Sequence, residues 1–557
     1  KSSKDYKTIF SEHKAEFFCN KKNFKTYTEV IVSAEDNVEL RRITITNLTN
    51  KKRSFSLTSY AEPVLSTSDS DLAHPAFNKL FIQTEYIGEK SALLANRRKR
   101  SEHEEDLYGI NKIVYDHKKC GTIQFETDRE KFLGRKNSLP NALSLQKDAN
   151  LSNTVGGVLD PIFSFKTRIT LAPFKTTQVI LVSGLAKSRE EALRLIDQYH
   201  DTHAFEREDQ MSWTQSQITL KHLNLEINEV NTFQKLAGVI IYSCSKLRPK
   251  ANIIEKNKKS QSALWNYGIS GDIPILSVSI KNKHDVSFIT DILQFHEYLR
   301  MKNIEFDLVV MSDETSSYRM AIYEELLHQV RITGGHSLLN KKGGIFLLRK
   351  DITPPEDLIC LKSIARIYFD AHQGELEKQV NHLLKSKGLP KVEVPDEPFP
   401  SNWREFSINK PQLEFFNGLG GFKEGGREYQ IFLDEKKVTP APWINVISNS
   451  KGFGFLVSES GSCHTWSQNS RENRITPWSN DSILDPSGEI IYLYDQDTKE
   501  SWSPTPGYAR DKSSYLVRHG QGYSIFEHNS FEIAQKLSMY VSLDKEVKFV
   551  RLKLQNL

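Results

Sequence analysis

A segment in the last fifth of the chain, Cys463 to Asp481 (CHTWSQNSRENRITPWSND), concentrates side chains that can bind sugars. Aromatic faces stack on the apolar faces of sugar rings, while carboxylates, planar amides and guanidinium groups hydrogen-bond vicinal hydroxyls. The residues of these types are Trp466, Arg471, Glu472, Asn473, Trp478, Asn480 and Asp481. Their composition predicts a carbohydrate site in one loop region. An alternative fits the composition equally well: the tryptophans fill a β-sandwich core and the polar residues close turns.

A second segment, Leu264 to Pro274 (LWNYGISGDIP), offers a candidate catalytic carboxylate. Asp272 stands near Trp265 and two glycines, and glycoside chemistry uses carboxylates as acid or base. The favoured alternative is an aspartate that closes a glycine turn before a buried strand. His74 and His519 are likewise interpreted as structural.

Other signatures of catalysis are missing from the sequence. The glycine cluster from Gly418 to Gly426 lacks the GxxxxGK[ST] pattern of a phosphate loop and predicts tight hairpins instead. No HExxH, GxSxG or cysteine–histidine constellation occurs. The sequence therefore does not support nucleophilic or metal catalysis, and we predict neither a metal site nor a bound cofactor.

Composition limits the class of protein. A chain of 557 residues corresponds to three or four domains of ordinary size, and 38% hydrophobic residues exclude a disordered chain. A net charge of +5 over this length does not indicate nucleic acid or a membrane surface as the partner. No apolar run approaches the roughly 20 residues that span a bilayer, and the first ten residues, KSSKDYKTIF, contain no apolar signal core. Five cysteines without a CxxC pair predict reduced, buried thiols in a cytosolic protein.

Periodicity divides the chain into β and α regions. Alternating β runs such as Leu40 to Thr46 continue to about Val182 and predict a sandwich, because no helices intervene. A helical pattern begins at Ser188, whose side chain can cap a helix. Between about Pro274 and Leu384 helices alternate with strands. A segment rich in proline and charge, around Lys385 to Asn402, predicts a linker before β sequence returns.

These regions predict a mainly β fold with an α+β connector, in which a helical linker and a small α/β unit separate two large antiparallel β-(super)sandwich domains. The predicted domains are a first β-sandwich at 1–186, a helical linker at 187–273, a small α/β unit at 274–395 and a second β-sandwich at 396–557.

An internal repeat supports the presence of two sandwiches. Seven residues recur at one constant offset without a gap: Val32, Ser33, Val38, Arg42, Ile43, Ile45 and Asn47 correspond to Val541, Ser542, Val547, Arg551, Leu552, Leu554 and Asn556. The chain therefore contains two copies of one β unit. Since the repeated pair opens the first copy and closes the second, we expect the first copy to lack its beginning and the second its end.

Several sequence blocks resemble the cyclic β-1,2-glucan synthases and the related 1,2-β-oligoglucan phosphorylases of glycoside hydrolase family 94. The blocks are EVIVSAEDNVELRRITITN, TSYAEPVL, AHPAFNKLFIQTEY, FETDREKFLGR, GGVLDPIFS, ALWNYGISGDIPIL, FFNGLGGFKEGGREYQI, PAPWINVISN, SRENRITPWSND, GEIIYLYDQDT and RHGQGYSIFEH. The blocks cover nearly the whole chain and occur in the same order as in the family. The resemblance is weakest between about Asp285 and Asn402.

The resemblance implies two large β-sandwiches, followed in the family by an (α/α)6 barrel that holds the general acid and the phosphate site. That barrel lies outside this sequence, as do the glycosyltransferase and transmembrane parts of the synthases. No catalytic residue of the family can therefore be assigned here, and inorganic phosphate would be a co-substrate only of the parent enzyme. Sandwich loops of the family lean over the barrel's pocket, which favours the SRENRITPWSND loop as a glucan contact.

We therefore expect a non-catalytic segment that contacts β-1,2-linked glucan and supports the barrel of a larger enzyme. The expected location is cytoplasmic, and it is the cytoplasmic face of the inner membrane, through other domains, if the parent enzyme is a synthase. One alternative is a self-contained inverting phosphorylase or hydrolase that uses Asp272 or Asp481 as the acid. Another is a purely structural spacer, which predicts that Trp466 and Trp478 are buried.

Overall fold

The computed structural model describes residues 5–21, 23–99, 101–102, 104–116, 119–313, 321–385, 408–423, 425–434 and 437–557. The chain forms two compact units: unit 1 comprises Lys1–Ser212 and Val394–Leu557, and unit 2 comprises Trp213–Glu393. The predicted linker beyond residue 385 and the boundary at 395 lie outside the described residues. The four domain ranges stay a prediction.

The first part of unit 1 is antiparallel β structure. Its strands are β1 (Tyr6–Phe10), β2 (Lys14–Lys21), β3 (Phe24–Val32), β4 (Val38–Asn47), β5 (Arg53–Thr58), β6 (Ile82–Ile87), β7 (Ala92–Arg97), β8 (Leu107–Tyr115), β9 (Gln124–Asp128), β10 (Pro161–Leu171) and β11 (Thr176–Ala186). Three short helices lie between them: α1 (Ser68–Ala73), α2 (Pro75–Lys79) and α3 (Arg129–Leu133). The strands form an eight-stranded sheet, β1-β2-β3-β4-β11-β8-β7-β6, and a three-stranded sheet, β5-β10-β9.

Alternating apolar residues build cores on both faces of the large sheet. On one face Ile45 and Val179 pack with Phe165 of the small sheet. On the other face Leu40 packs beneath the helices α4 (Arg189–Gln198) and α5 (Thr202–His222), through residues such as Phe205. Ser188 caps α4 by accepting a hydrogen bond from the Glu191 N–H, as its position predicts.

Unit 2 is a three-layer α/β structure. Its helices are α6 (Ile227–Ile241), α7 (Ala251–Ile254), α8 (Val286–Met301), α9 (Ala321–Ile332), α10 (Pro355–Ile364) and α11 (Leu376–Leu384). Its strands are β12 (Ile275–Ile280), β13 (Asp307–Ser312), β14 (Ile345–Arg349) and β15 (Ile367–Asp370). All pairings are parallel, in the order β14-β13-β12-β15. Both faces of the sheet are covered, which explains why β12 and β13 are continuously buried.

The second part of unit 1 is again antiparallel. Its strands are β16 (Gly420–Lys423), β17 (Glu428–Leu433), β18 (Ile444–Ser448), β19 (Gly454–Ser458), β20 (Cys463–Trp466), β21 (Leu493–Tyr494), β22 (Ser501–Trp502), β23 (Tyr515–Gly520), β24 (Tyr523–Ser530), β25 (Ile533–Val541) and β26 (Lys548–Asn556). They form sheets β16-β17-β23-β24-β25-β26, β18-β19-β20 and β21-β22. The mainly β fold class with two antiparallel sandwich regions is confirmed.

The internal repeat is larger in the structure than in the sequence. Strands β1 to β4 and β23 to β26 share one register at an offset of 509 residues, the distance from Val32 to Val541. The turns also match: the Ser33 N–H donates to the Val38 carbonyl and the Ser542 N–H to the Val547 carbonyl, both at 2.9 Å. The repeated unit is therefore a four-stranded meander.

The two meanders differ in what covers them. In the first copy β4 pairs with β11, and Val38 and Leu40 are 2% and 1% exposed. At the equivalent positions of β26, Val547 and Phe549 are 41% and 45% exposed. The same hairpin thus lies inside a sheet in the first copy and at a sheet edge in the second.

A buried ion pair in the second region predicts a pH dependence of stability. Glu428 accepts hydrogen bonds from Arg518 at 2.8 and 3.0 Å and from the Tyr523 hydroxyl at 2.6 Å. Burial opposes ionisation, but these donors prevail and lower the pKa of Glu428 to about 2.

Because the folded pKa lies below the unfolded value near 4.5, the pair stabilises the fold above that pH. We expect on the order of 3 kcal/mol at neutral pH, lost as the pH falls towards about 2. Denaturant unfolding of the parent and of Glu428→Gln, compared at pH 7 and pH 3, checks this. An equal difference between the two proteins at both pH values would contradict it.

Candidate functional site

The predicted sugar-binding segment begins at the β19–β20 hairpin. Trp466 ends β20 and pairs across the hairpin with Gly454. A Cβ atom at Gly454 would lie 2.9 Å from Cζ2 of the Trp466 indole, so glycine leaves room for the ring. The ring is half-buried.

A tight turn after β20 projects three predicted site residues into solvent. The side-chain oxygen of Asn469 accepts hydrogen bonds from the N–H groups of Arg471 and Glu472, at 2.8 and 3.1 Å. The Asn473 N–H donates to the Asn469 carbonyl, which closes the turn. Arg471, Glu472 and Asn473 are exposed, which leaves the guanidinium, carboxylate and amide available to a ligand.

A partly buried hydrogen-bond network around Glu489 anchors this turn. Glu489 accepts hydrogen bonds from the hydroxyls of Thr465 and Thr476 and from Lys548 Nζ, at 2.5, 2.9 and 2.6 Å. Burial disfavours the charge of Glu489, but Lys548 and the hydroxyls outweigh burial and lower its pKa. The Thr465 N–H also donates to Thr476 Oγ1 at 2.8 Å. The start and end of the loop are thereby held together.

The far end of the loop meets the helices α1 and α2. The guanidinium of Arg474 lies 5.4 Å from the centroid of the Trp478 ring, and the His74 ring lies edge-on to it at 6.0 Å. Asn480 Nδ2 donates to His74 Nδ1 at 2.9 Å, and the Phe77 N–H donates to the same nitrogen at 3.2 Å. Two donors at Nδ1 place the proton of the neutral imidazole on Nε2.

Both carboxylate oxygens of Asp481 accept hydrogen bonds from groups within the fold. One oxygen accepts a hydrogen bond from Arg129 Nη2 at 2.8 Å, and the other accepts the N–H groups of Ile483 and Leu484, both at 2.9 Å. Burial opposes ionisation, but Arg129 and the backbone donors keep the pKa of Asp481 below its ordinary value. Arg129 also donates to Asp160 at 2.8 Å. A carboxyl group held ionised in this way is a poor proton donor, which disfavours Asp481 as a general acid.

The predicted set thus separates into four groups. Arg471, Glu472 and Asn473 share the exposed turn; Trp478 and Asn480 contact His74; Asp481 lies in the Arg129 ion pair. Trp466 lies at the base of the hairpin. Both tryptophans are half-buried, so the complete burial expected of a spacer does not occur. Assignment of this set to sugar binding stays a prediction.

Two neighbours of the site were not among the predicted residues. Arg474 lies within the same loop, and Phe77, 46% exposed, lies on α2 close to His74. The distance of about 400 residues between α2 and the loop hides this proximity from sequence patterns. In the sequence, this region was marked by the block AHPAFNKLFIQTEY. That block indicated the family resemblance, but not a contact with the loop.

The remaining candidate features are structural or lie elsewhere. Gly418, Gly425 and Gly426 have positive φ angles of 100°, 65° and 89°, as turns require, and the latter two lie between β16 and β17. Asp272 lies in unit 2, with a side chain 61% exposed. All five cysteines are unpaired. Within the described ranges, no cluster of His, Cys, Asp or Glu could hold a metal ion, and no helix is long and apolar enough to cross a bilayer.

Comparison with known families agrees with this fold. The model of the glycosyl hydrolase 94 supersandwich domain matches residues 1–202 and 427–557, which together exceed half of the chain. The chain belongs to this supersandwich family. The resemblance predicted from the sequence blocks is therefore confirmed, and the second matched stretch contains all seven predicted site residues.

Curated relatives contain the supersandwich within longer chains. Cyclic beta-(1,2)-glucan synthase NdvB of Rhizobium meliloti (strain 1021) is 34% identical over 99% of this chain and 20% of its own length. The N,N'-diacetylchitobiose phosphorylase of Vibrio proteolyticus is 29% identical over 22% of this chain and 15% of its own. The corresponding enzyme of Vibrio furnissii is 27% identical over 25% and 17%. The chain spans a fifth or less of these relatives.

Proposed function

We propose that this supersandwich chain is the carbohydrate-contacting and scaffolding part of an enzyme that builds or degrades β-1,2-linked glucan. The observation that carries the proposal is the anchored loop of residues 467–481, which presents Arg471, Glu472 and Asn473 to solvent beside the half-buried Trp478. The network at Glu489 and the Arg129 ion pair fix both ends of this loop. Ligand binding then costs little conformational entropy, because the loop is already ordered.

The chemistry of the loop fits a neutral sugar chain. The Trp478 ring can pack against the apolar face of a glucosyl residue, while Arg471 and Glu472 can bind vicinal hydroxyls as donor and acceptor. Similarity to NdvB over 99% of this chain supports glucan as the substrate class. In this proposal Asp481 supports the site through Arg129 instead of touching the sugar.

Catalysis in such an enzyme belongs to other parts of it. An acid would protonate the leaving oxygen while phosphate attacks the anomeric carbon, both in an (α/α)6 barrel that the supersandwich supports. The proposed partners are β-1,2-glucan, this barrel and membrane-bound glycosyltransferase domains. The proposed location is the cytoplasmic side of an inner membrane.

Substitution of the loop tests the proposal by calorimetric titration with linear β-1,2-gluco-oligosaccharides. We expect Trp478→Ala and Arg471→Ala each to weaken affinity by about tenfold, equivalent to about 1.4 kcal/mol. Trp213→Ala is the matched control, because this tryptophan is 51% exposed and lies on α5. Unchanged affinity in both loop variants would refute the proposed contact and leave a structural spacer as the better account.

A further inference from the structure

The amino-terminal edge of the parallel sheet in unit 2 contains a cavity of about 380 Å³. Its walls include Lys259, Gln261, Gly271, Asp272, Pro274 and Arg366. This volume lies within the roughly 300–1,000 Å³ range of small-molecule sites. All of the lining residues belong to unit 2, so the cavity is distinct from the loop site of unit 1.

An exposed aromatic ring directly follows Leu264, one of the residues that line this cavity. Trp265 is 64% exposed, although it belongs to a short 3₁₀ helix, Gln261–Tyr267, that is fixed to the core through the buried Leu264. Gly268 ends the helix in the left-handed conformation. The indole Nε1 donates to the Ser270 carbonyl at 3.4 Å, which ties the ring to the turn that precedes Asp272. A large apolar surface is therefore held open to solvent beside the turn that contributes Gly271 and Asp272 to the cavity wall.

Asp272 supplies hydrogen-bond acceptors at the same place. One carboxylate oxygen accepts from Gln261 Nε2 at 3.3 Å, and the other lies 3.9 Å from Lys342 Nζ. Both contacts are long for charge-assisted hydrogen bonds, and each oxygen keeps free lone pairs. A carboxylate beside an amide can bind two vicinal hydroxyl groups.

Carboxylates and carbonyl oxygens beside the cations of the cavity offset their charge, which disfavours a phosphorylated ligand. Lys259 Nζ lies 3.5 and 3.6 Å from the carboxylates of Glu356 and Asp357. Arg366 Nη1 donates to two carbonyl oxygens at the end of α6, at 2.6 and 3.1 Å. The groups that remain are the aromatic face of Trp265, the Asp272 carboxylate and the side-chain oxygen of Gln261, whose Nε2 already donates to the Ser270 carbonyl at 2.9 Å and to Asp272. This combination suits a neutral polyhydroxylated ring.

The opposite, carboxyl-terminal edge of the sheet is the usual ligand site of such folds. At this edge the described charged side chains form ion pairs with one another. Lys281 pairs with Asp370 at 3.3 Å, and Lys350 pairs with Asp313 at 3.0 Å. The Asp285 carboxylate accepts a hydrogen bond from the Lys281 N–H at 2.8 Å, so this N–H is not available to a bound anion. Among the described residues, the amino-terminal edge is therefore better suited to a ligand.

We infer that this cavity is a second sugar subsite, in which Trp265 stacks on a hexosyl ring and Asp272 with Gln261 binds its hydroxyls. The identity of the sugar, a β-1,2-linked glucosyl residue, rests on the proposed function; the location of the subsite does not. A glucan chain bound by this protein would then contact unit 2 independently of the loop in unit 1.

Calorimetric titration of the full chain with a linear β-1,2-gluco-oligosaccharide tests the subsite. The starting protein carries Arg471→Ala and Trp478→Ala, so that the loop site no longer contributes. We expect it to bind one equivalent of the oligosaccharide. Added Trp265→Ala, or separately Asp272→Asn, weakens this binding at least tenfold, while added Trp213→Ala leaves it unchanged.

The outcomes separate this inference from the proposed function. If the unmodified chain binds and the starting protein does not, the second subsite is overturned and the loop site stands. Equal affinity with and without Trp265 and the Asp272 carboxylate also overturns the subsite. If Trp265→Ala alone removes all binding and the loop substitutions remove none, the subsite stands and the loop contact fails.

Discussion

Replacement of Arg129 by alanine is expected to destabilise unit 1 by about 3–5 kcal/mol, the usual cost of leaving buried partner charges uncompensated. The Arg129 side chain is 6% exposed and joins Asp160 to Asp481 through hydrogen bonds of 2.8 Å each. Its Nε also donates to the Tyr60 hydroxyl at 3.2 Å. Denaturant unfolding at neutral pH measures the loss.

Two further variants serve as comparisons for Arg129→Ala. Arg129→Lys keeps the charge but cannot form the planar fork to both carboxylates, so it should retain only part of the stability. Arg41→Ala removes an ion pair whose side chains are 47% and 38% exposed, and should cost no more than about 1 kcal/mol. A cost for Arg129→Ala as small as that for Arg41→Ala would show that the buried cluster does not hold the two β regions together.

The second large effect is expected at Asn47, which ends the meander of the first copy. Its amide nitrogen donates to the carbonyls of Lys51, Leu171 and Ala172 at 2.8, 3.3 and 3.0 Å. Its oxygen accepts from the Thr49 N–H and hydroxyl at 3.0 and 2.8 Å. Asn47→Ala would leave several of these buried groups unpaired, and we expect a loss of about 3 kcal/mol in unfolding free energy.

The repeat supplies the matched control for this prediction. Asn556 occupies the equivalent position at the end of β26 and is exposed, so Asn556→Ala should change stability by no more than about 0.5 kcal/mol. Parallel thermal or denaturant unfolding of the two variants gives the comparison. Equal losses would mean that the asparagine acts through the local hairpin instead of through the contacts peculiar to the first copy.

Strand and helix periodicity predicted much of this architecture. Alternation identified strands such as β4, and the Ser188 cap marked the start of α4. The repeat was detectable only from the last residue of β25 through β26, because identical residues are sparse in the three preceding strands of each copy. The backbone register preserves the relation there, whereas the side chains have diverged.

The site was predictable in composition but not in geometry. Polar and aromatic residues in one loop indicated a sugar site, yet no sequence pattern separates the exposed Glu472 from the half-buried, ion-paired Asp481. That difference depends on Arg129, which lies 352 residues away from Asp481 in the chain. Contacts at such separation are set by how the sheets pack, and a single sequence does not record them.

The most direct test of the central claim is calorimetric titration of the unmodified chain with linear β-1,2-gluco-oligosaccharides in the presence of inorganic phosphate, with release of glucose 1-phosphate followed in the same sample. A sugar-contacting, non-catalytic part of a glucan enzyme should bind the oligosaccharide and release no glucose 1-phosphate. Phosphate-dependent release would contradict the account by locating an active site in these residues, and the absence of any binding would contradict it by removing the sugar contact.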